Sequence, residues 1–239
     1  MNIADFLISD KSEIPLADVV LSAENRNAIT QLIKENQYVA ELQQYGLPVN
    51  NKVLLYGSSG CGKTTTAKAI AHALGKPLFI LNLSQIVSAR IGETSQNLKA
   101  VFDKAARDRA ILFLDEFDQI GKARGSDDKD VGEMRRLVNT LIQLIDYFPE
   151  KALLICATNH VEIIDHALLR RFQVKITYSM PGEVELDQYY DDLLQTFPQD
   201  MQSIDRTYNI SYAEAKDKAF TQLKRKLIDR LDNVSELIG

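Results

Sequence analysis

Two short runs of the chain carry residue types and spacings suited to phosphate chemistry. The first is Gly57-Ser58-Ser59-Gly60-Cys61-Gly62-Lys63-Thr64, which fits G-x-x-x-x-G-K-[ST]. It follows the apolar Val53-Leu54-Leu55-Tyr56 and opens onto Thr65-Thr66-Ala67-Lys68-Ala69-Ile70-Ala71. Strand, glycine-rich turn and helix are therefore expected in that order. Such a turn lets successive backbone N–H groups wrap a polyphosphate at close range. The helix behind it aims its amino end at the same anion. Lys63 brings a point charge for the terminal phosphates, and the Thr64 hydroxyl is suited to ligate Mg²⁺. The second run is Asp115-Glu116-Phe117-Asp118, directly after Ile111-Leu112-Phe113-Leu114. Its acids stand at the carboxyl end of an apolar strand, the edge where open α/β sheets bind ligands. Asp115 is placed to hold the Mg²⁺ shell, and Glu116 to orient and polarise an attacking water.

Two further stretches have chemistry that depends on their setting. Ala157-Thr158-Asn159 closes another apolar strand. The Asn159 amide there is suited either to hold a water or a γ-phosphate, or to form a turn or helix cap. In Asp165-His166-Ala167-Leu168-Leu169-Arg170-Arg171-Phe172, adjacent arginines beside apolar residues read as a solvated face. In a phosphate-loop ATPase they read instead as transition-state charge supplied by a neighbouring subunit.

The elements that must position these residues follow from the apolar pattern. Strands are expected at 53–56, 77–83, 111–114, 153–157 and 174–178, each apolar along most of its length and separated from the next by helix. That pattern means a parallel sheet covered on both faces. The expected fold class is α/β: a five-stranded parallel sheet in a three-layer αβα sandwich, followed by a small all-helical lid. Ser22 reads as the N-cap of a helix with Ile29, Leu32 and Ile33 on one face, and Gly75 as the C-cap of the helix after the phosphate loop. Leu98, Val101, Phe102 and Ala105 predict one further helix, and Met134, Leu137, Val138, Leu141, Leu144 and Ile145 another. Residues 121–132 read as an exposed loop. The division expected is a lead-in at 1–15, packed on the main domain or frayed, the αβα domain at 16–180 and helices at 181–239. In that last part Leu186, Tyr189, Tyr190, Leu193, Leu194, Ala215, Ala219, Leu223 and Leu227 follow helical spacing.

Composition narrows the class. The chain has 239 residues, 45% hydrophobic and 26% charged, with a net charge of −5. Such a balance fits a soluble globular protein and argues against a general nucleic-acid binder. No apolar run is long enough to span a bilayer, so no membrane partner is expected. Cys61 and Cys156 read as free thiols of a reducing, cytoplasmic compartment, and His72, His160 and His166 lack metal-ligand spacing.

The phosphate loop, the acidic motif, Asn159 and the segment ending Arg170-Arg171-Phe172 occur in one order from about residue 16 to the end. In that order they resemble the AAA-type members of the AAA+ ATPase superfamily. The resemblance implies ATP as ligand with Mg²⁺, and hydrolysis to ADP and phosphate. It implies a ring, a homo-oligomer and most simply a hexamer, with Arg170 and Arg171 as arginine fingers in trans; Arg171, before Phe172, is the preferred finger. Nucleotide-binding positions then run from Gly57 through Thr65. Val19 and Val20 match the family segment that packs on adenine, and Ala213, in Ser211-Tyr212-Ala213-Glu214, falls near the ribose or adenine.

The sequence departs from the family pattern at several points. Arg90, in Ser88-Ala89-Arg90-Ile91-Gly92, stands where chain-threading members carry a pore aromatic. Leu21 replaces a glycine after Asp18-Val19-Val20, and the arginine segment is compressed. No substrate-binding domain before the module and no protease after it are expected. Arg90 with Lys122 and Arg124 suggests a pore that engages an anionic element; alternatively Asp127, Asp128 and Asp130 neutralise ordinary loop charges. The function expected is ATP-driven remodelling of a partner macromolecule, a protein selected through a separately encoded partner. The alternatives are a nucleic-acid-directed ATPase and a nucleotide-gated switch with little turnover.

Overall fold

The computed structural model describes residues 7–83, 91–122 and 128–236. Six strands form one sheet: β1 (Ile8–Asp10), β2 (Lys52–Gly57), β3 (Leu78–Asn82), β4 (Ile111–Asp115), β5 (Leu153–Thr158) and β6 (Val174–Tyr178). Their order is β1-β3-β4-β5-β2-β6. The pairs β3–β4, β4–β5 and β2–β5 are parallel, as continuous apolar strands require. Every residue of β5 is buried. The register sets Asn82 beside Asp115 and Tyr56 beside Thr158, so these strands end along one edge of the sheet.

The expected sheet has a sixth strand added. Ile8–Asp10, inside the lead-in, pairs antiparallel with β3. This strand covers the exposed rim of β3, and Asp10 forms a 2.8 Å ion pair with Lys68 of the helix Lys63–Leu74. Three residues, of which Ser9 and Asp10 are both polar, give no alternation to read, so the strand is set by the edge it covers.

The helices follow their signals closely. Ser22 Oγ accepts from Asn25 N at 3.2 Å, and Ile29, Leu32 and Ile33 of Ala23–Gln37 face the core. Gly75 has φ +59°, the left-handed turn that a C′ glycine supplies. Leu98, Val101, Phe102 and Ala105 of Ile91–Arg107 are buried in the same core as Leu137, Leu141 and Ile145 of Asp128–Asp146. Of the loop expected at 121–132, residues 121–122 instead end the helix Gln119–Lys122 and residues 128–132 belong to Asp128–Asp146, while 123–127 lie outside the described residues. The acidic composition of this stretch reads as loop in sequence, although the same composition is favoured at helix amino ends.

The chain divides into two compact units, Met1–Gly57 with Lys63–Thr177, and Ser58–Gly62 with Tyr178–Gly239. In the second, the helices Glu183–Leu194 and Tyr212–Glu236 pack around Leu186, Tyr190, Leu194, Met201, Ala215, Ala219 and Leu223. Tyr190 Oη donates to the Thr207 carbonyl at 3.0 Å, satisfying the one polar atom it carries into this core. Leu227, expected on the same face, is 45% exposed because the short first helix leaves the last turns of the longer one uncovered.

Candidate active site

The phosphate-loop glycines adopt the backbone their positions demand. Gly57, Gly60 and Gly62 have φ of +123°, +70° and +100°, a region that disfavours a side chain. In the second unit, Ser58 N donates to the Tyr178 carbonyl at 2.8 Å and Ala213 N to the Gly60 carbonyl at 3.1 Å. A Cβ on Gly60 would lie 2.5 Å from Ser211 Oγ and 3.2 Å from Ala213 Cβ. Ala213 therefore stands against the phosphate loop itself. Ser211 and Glu214 hold that turn by reciprocal capping, and bonds from Ser211 lower the Glu214 carboxyl below its ordinary range. Cys61 is buried, with Sγ 3.4 Å from the Ser59 carbonyl.

In the first unit, Lys63 Nζ donates to the Gly57 carbonyl at 2.8 Å, which bends the side chain back along the loop. Thr64 and Thr65 follow in the first turn of Lys63–Leu74. At the end of β4, Asp115 Oδ1 accepts from Glu116 N at 2.9 Å. Burial raises the Asp115 carboxyl above its ordinary value, with Glu116 N–H and the Lys63 charge opposing. Glu116 itself has φ +53°, an uncommon conformation for a residue with a Cβ. It is held there on both sides: Phe117 N donates to the Ala157 carbonyl at 2.8 Å and Gln119 N to the Glu116 carbonyl at 2.9 Å.

Asn159 is exposed at the end of β5, where a network pins its neighbours. Thr158 Oγ1 donates to buried Asp118 at 3.0 Å and accepts from His160 N at 2.9 Å. Neither Thr158 nor Asp118 was assigned a role by sequence; the signal was only that Asp118 recurs three residues after Asp115. Arg26 was missed as well. Its guanidinium donates to the Leu16 and Val19 carbonyls at 3.1 and 2.8 Å, fixing the turn that buries Val19 and leaves Val20 37% exposed.

The arginine segment joins the acidic motif through an aromatic contact. Phe172 and Phe117, both buried, meet edge to face at 5.6 Å. Arg171 is clasped by its own chain: Nε and one terminal nitrogen reach the Asp146 carboxylate at 3.2 and 3.3 Å, and the other donates to the Ala167 carbonyl at 2.6 Å. Arg170 is exposed. Both line an open cleft of about 600 Å³ with Lys52, Asp146 and Gln173. Gln173 Oε1 accepts from Asn51 N and Lys52 N at 3.0 Å, which places the segment at the start of β2. Gly57 ends that strand five residues on, about 17 Å away at the usual rise. The arginines thus sit at the sheet edge opposite Lys63.

Residues 84–90 and 123–127 lie outside the described residues, and with them Arg90, Arg124 and Asp127. Among the described residues no group of three or more His, Cys, Asp or Glu is arranged around a metal site. One hydroxyl and one carboxylate, Thr64 and Asp115, suit Mg²⁺, which is usually held by few protein oxygens together with substrate phosphates and water.

A glycine-rich loop between a parallel strand and a helix, with an acid pair ending a nearby strand, defines a phosphate-loop nucleotide-binding protein. The model of the ATPase family associated with various cellular activities (AAA) matches residues 53–180. An uncharacterized AAA family ATPase, y4kL, of Sinorhizobium fredii is 33% identical over 236 residues, covering 98% of this chain and 71% of that protein. A putative 26S proteasome regulatory subunit homolog of Methanothermobacter marburgensis is 27% identical over 233 residues, covering 94% of this chain and 62% of that one. The ATP-dependent zinc metalloprotease FtsH 3 of Sphaerobacter thermophilus is 31% identical over 180 residues, 74% of this chain and 37% of that protein. The chain thus spans from about a third to under three quarters of these relatives. The crystal structure of the FIGL-1 AAA domain matches with a TM-score of 0.66 at 22% identity, over 83% of this chain and 67% of that one, a likeness of fold. The chain belongs to the AAA family, and it binds and hydrolyses ATP. No helix among the described residues is long and apolar enough to cross a membrane.

Proposed function

We propose that this protein acts as a ring of identical subunits, most simply a hexamer, that couples ATP hydrolysis to the remodelling of a protein selected through a separate partner, in the cytoplasm. In this reading the loop from Gly57 to Thr65 wraps the phosphates with its N–H groups, and Lys63 leaves the Gly57 carbonyl to meet the terminal phosphates. Thr64 and Asp115 hold Mg²⁺, which neutralises charge on the β- and γ-phosphates. Glu116 orients and polarises the attacking water, and Asn159 holds that water or the γ-phosphate. Val19 and Val20 pack on adenine, and Ala213 serves the ribose side. Of the pair Arg170 and Arg171, exposed Arg170 contributes transition-state charge to a neighbour's nucleotide, and Arg171, bonded to Asp146, supports the segment that carries it.

The observation that carries the ring is the position of the arginines. They open beside Lys52, at the edge of the sheet opposite the phosphate loop, so within one chain β2 separates them from Lys63 by its whole length. That separation supports a reading in which the pair meets a γ-phosphate across an interface between subunits. The protein-directed reading draws support from relatives whose names include a proteasome regulatory subunit homolog and a metalloprotease. The test is ATPase rate against protein concentration, with mass by light scattering in ATP, for the native protein and Arg170→Ala. Specific activity should rise with concentration as a ring mass appears, and Arg170→Ala should lose turnover while still binding ATP. Flat activity from a monomer would defeat the reading.

A further inference from the structure

The cleft at the start of β2 contains a cation that the arginine reading does not use. Lys52 lines it with Arg170 and Arg171, three cations against the single carboxylate of Asp146, on a chain whose net charge is −5. Asp146 is already engaged by Arg171 through both oxygens. The Lys52 ammonium donates to the neutral Asn51 Oδ1 at 3.2 Å. Burial pushes the Lys52 ammonium down in pKa, and the charges of Asp146 and Glu150 only partly restore it. An anion entering the cleft therefore meets two cations that no carboxylate among the described residues clasps, Lys52 and Arg170. The surroundings suit a protein contact: Tyr147, next to Asp146, is 87% exposed, and Tyr45 is 83% exposed on the segment that Gln43 ties to Glu150 at 2.6 Å. Exposed tyrosines around arginine are the composition of interface centres.

We propose that Lys52 is a further catalytic residue acting in trans: with Arg170 it receives the terminal phosphates of the ATP held by a second copy of this chain. The inference rests on the ring reading above and adds to it a residue from β2. Its chemistry is electrostatic. Charge builds on the equatorial oxygens of the transferred phosphoryl group, and a preplaced, half-buried ammonium stabilises that charge more than it stabilises bound ATP. Arg171, held by Asp146 and the Ala167 carbonyl, leaves the approach to Arg170 and Lys52.

The test compares Lys52→Met, Lys52→Arg, Arg170→Ala and Glu116→Gln, alone and mixed. Lys52→Met should lower kcat about tenfold or more while binding of a fluorescent ATP analogue stays within about twofold, and Lys52→Arg should restore most of the loss. Lys52→Met and Glu116→Gln, each poorly active alone, should regain turnover when mixed, because mixed interfaces pair an intact Lys52 with an intact Glu116. If Lys52→Met keeps kcat within about twofold while Arg170→Ala abolishes it, the inference is overturned and the ring reading stands. If Lys52→Met is inactive and mixing with Glu116→Gln rescues Arg170→Ala but not Lys52→Met, Lys52 serves only its own protomer and the inference is again overturned. If Arg170→Ala retains full turnover, the ring reading falls and takes the inference with it.

Discussion

Glu116 should be less stable than a glycine would be at the same position. Its φ of +53° lies in the left-handed region, where the Cβ of an L-residue crowds the following carbonyl. The cost is roughly 1–2 kcal/mol. Replacing Ala by Gly ordinarily destabilises by about 0.5–1 kcal/mol, because glycine has more freedom to lose. At position 116 the two effects oppose, and the difference leaves Gly the more stable of the pair by about 0.5–1 kcal/mol. For a chain of 239 residues that is a rise in Tm of about 1–4 °C for Glu116→Gly over Glu116→Ala. Glu116→Gln keeps the Cβ and should melt with the native protein. All three should lose turnover while binding ATP, because the carboxylate proposed to polarise water is gone. Thermal and urea melts of the nucleotide-free proteins read the stability difference, and single-turnover hydrolysis reads the chemistry. If Glu116→Ala proved more stable than Glu116→Gly, the strained backbone would not be a feature of the folded protein. The bonds from Phe117 N and Gln119 N would then hold an unstrained turn.

Three other perturbations test the surrounding groups. Because burial raises the Asp115 carboxyl, its charged form is disfavoured in the folded state, and stability grows as pH falls through the raised value; Asp115→Asn should therefore equal or exceed the native Tm without nucleotide at neutral pH, while Mg²⁺-dependent turnover is lost. Thr158→Val removes the hydroxyl that donates to buried Asp118 and accepts from His160 N, at a cost of about 1–3 kcal/mol read by urea melts, and it should slow hydrolysis by loosening Asn159. The Asp10 carboxyl is held low by its bond to Lys68, so its contribution is present above the ordinary carboxylate range and lost as pH falls through the lowered value; the Tm gap between the native protein and Asp10→Asn should accordingly close on acidification, and a gap constant with pH would show that the ion pair does not form in solution.

What could be read from sequence were the features whose chemistry is local. The glycines at 57, 60 and 62 are dictated by backbone angles within one turn, and β5 by a run that is apolar on both faces. Residues whose partners are distant in the chain left little trace. Arg26 is an ordinary polar position in a helix until the Leu16 and Val19 carbonyls fold back onto it. β1 becomes a strand because β3 offers an open edge, since Ile8-Ser9-Asp10 has no alternation of its own. Leu227 has the helical spacing of a core residue, but spacing cannot show where the covering helix ends.

The arginine segment shows the same limit at the site itself. In sequence Arg171 was preferred because Phe172 follows it. The structure explains the phenylalanine: it docks on Phe117, one residue beyond Glu116, and so ties the segment to the acidic motif. That anchoring positions Arg171 against Asp146, twenty-five residues upstream, a pairing with no local signature. An arginine bonded at both ends of its guanidinium must give up charge-assisted bonds before it can serve another chain, whereas among the described residues Arg170 has none of that kind to give up. The contact that makes Arg171 conspicuous in sequence is thus the one that holds it at home, and the difference favours Arg170 as the side chain that crosses to a neighbour.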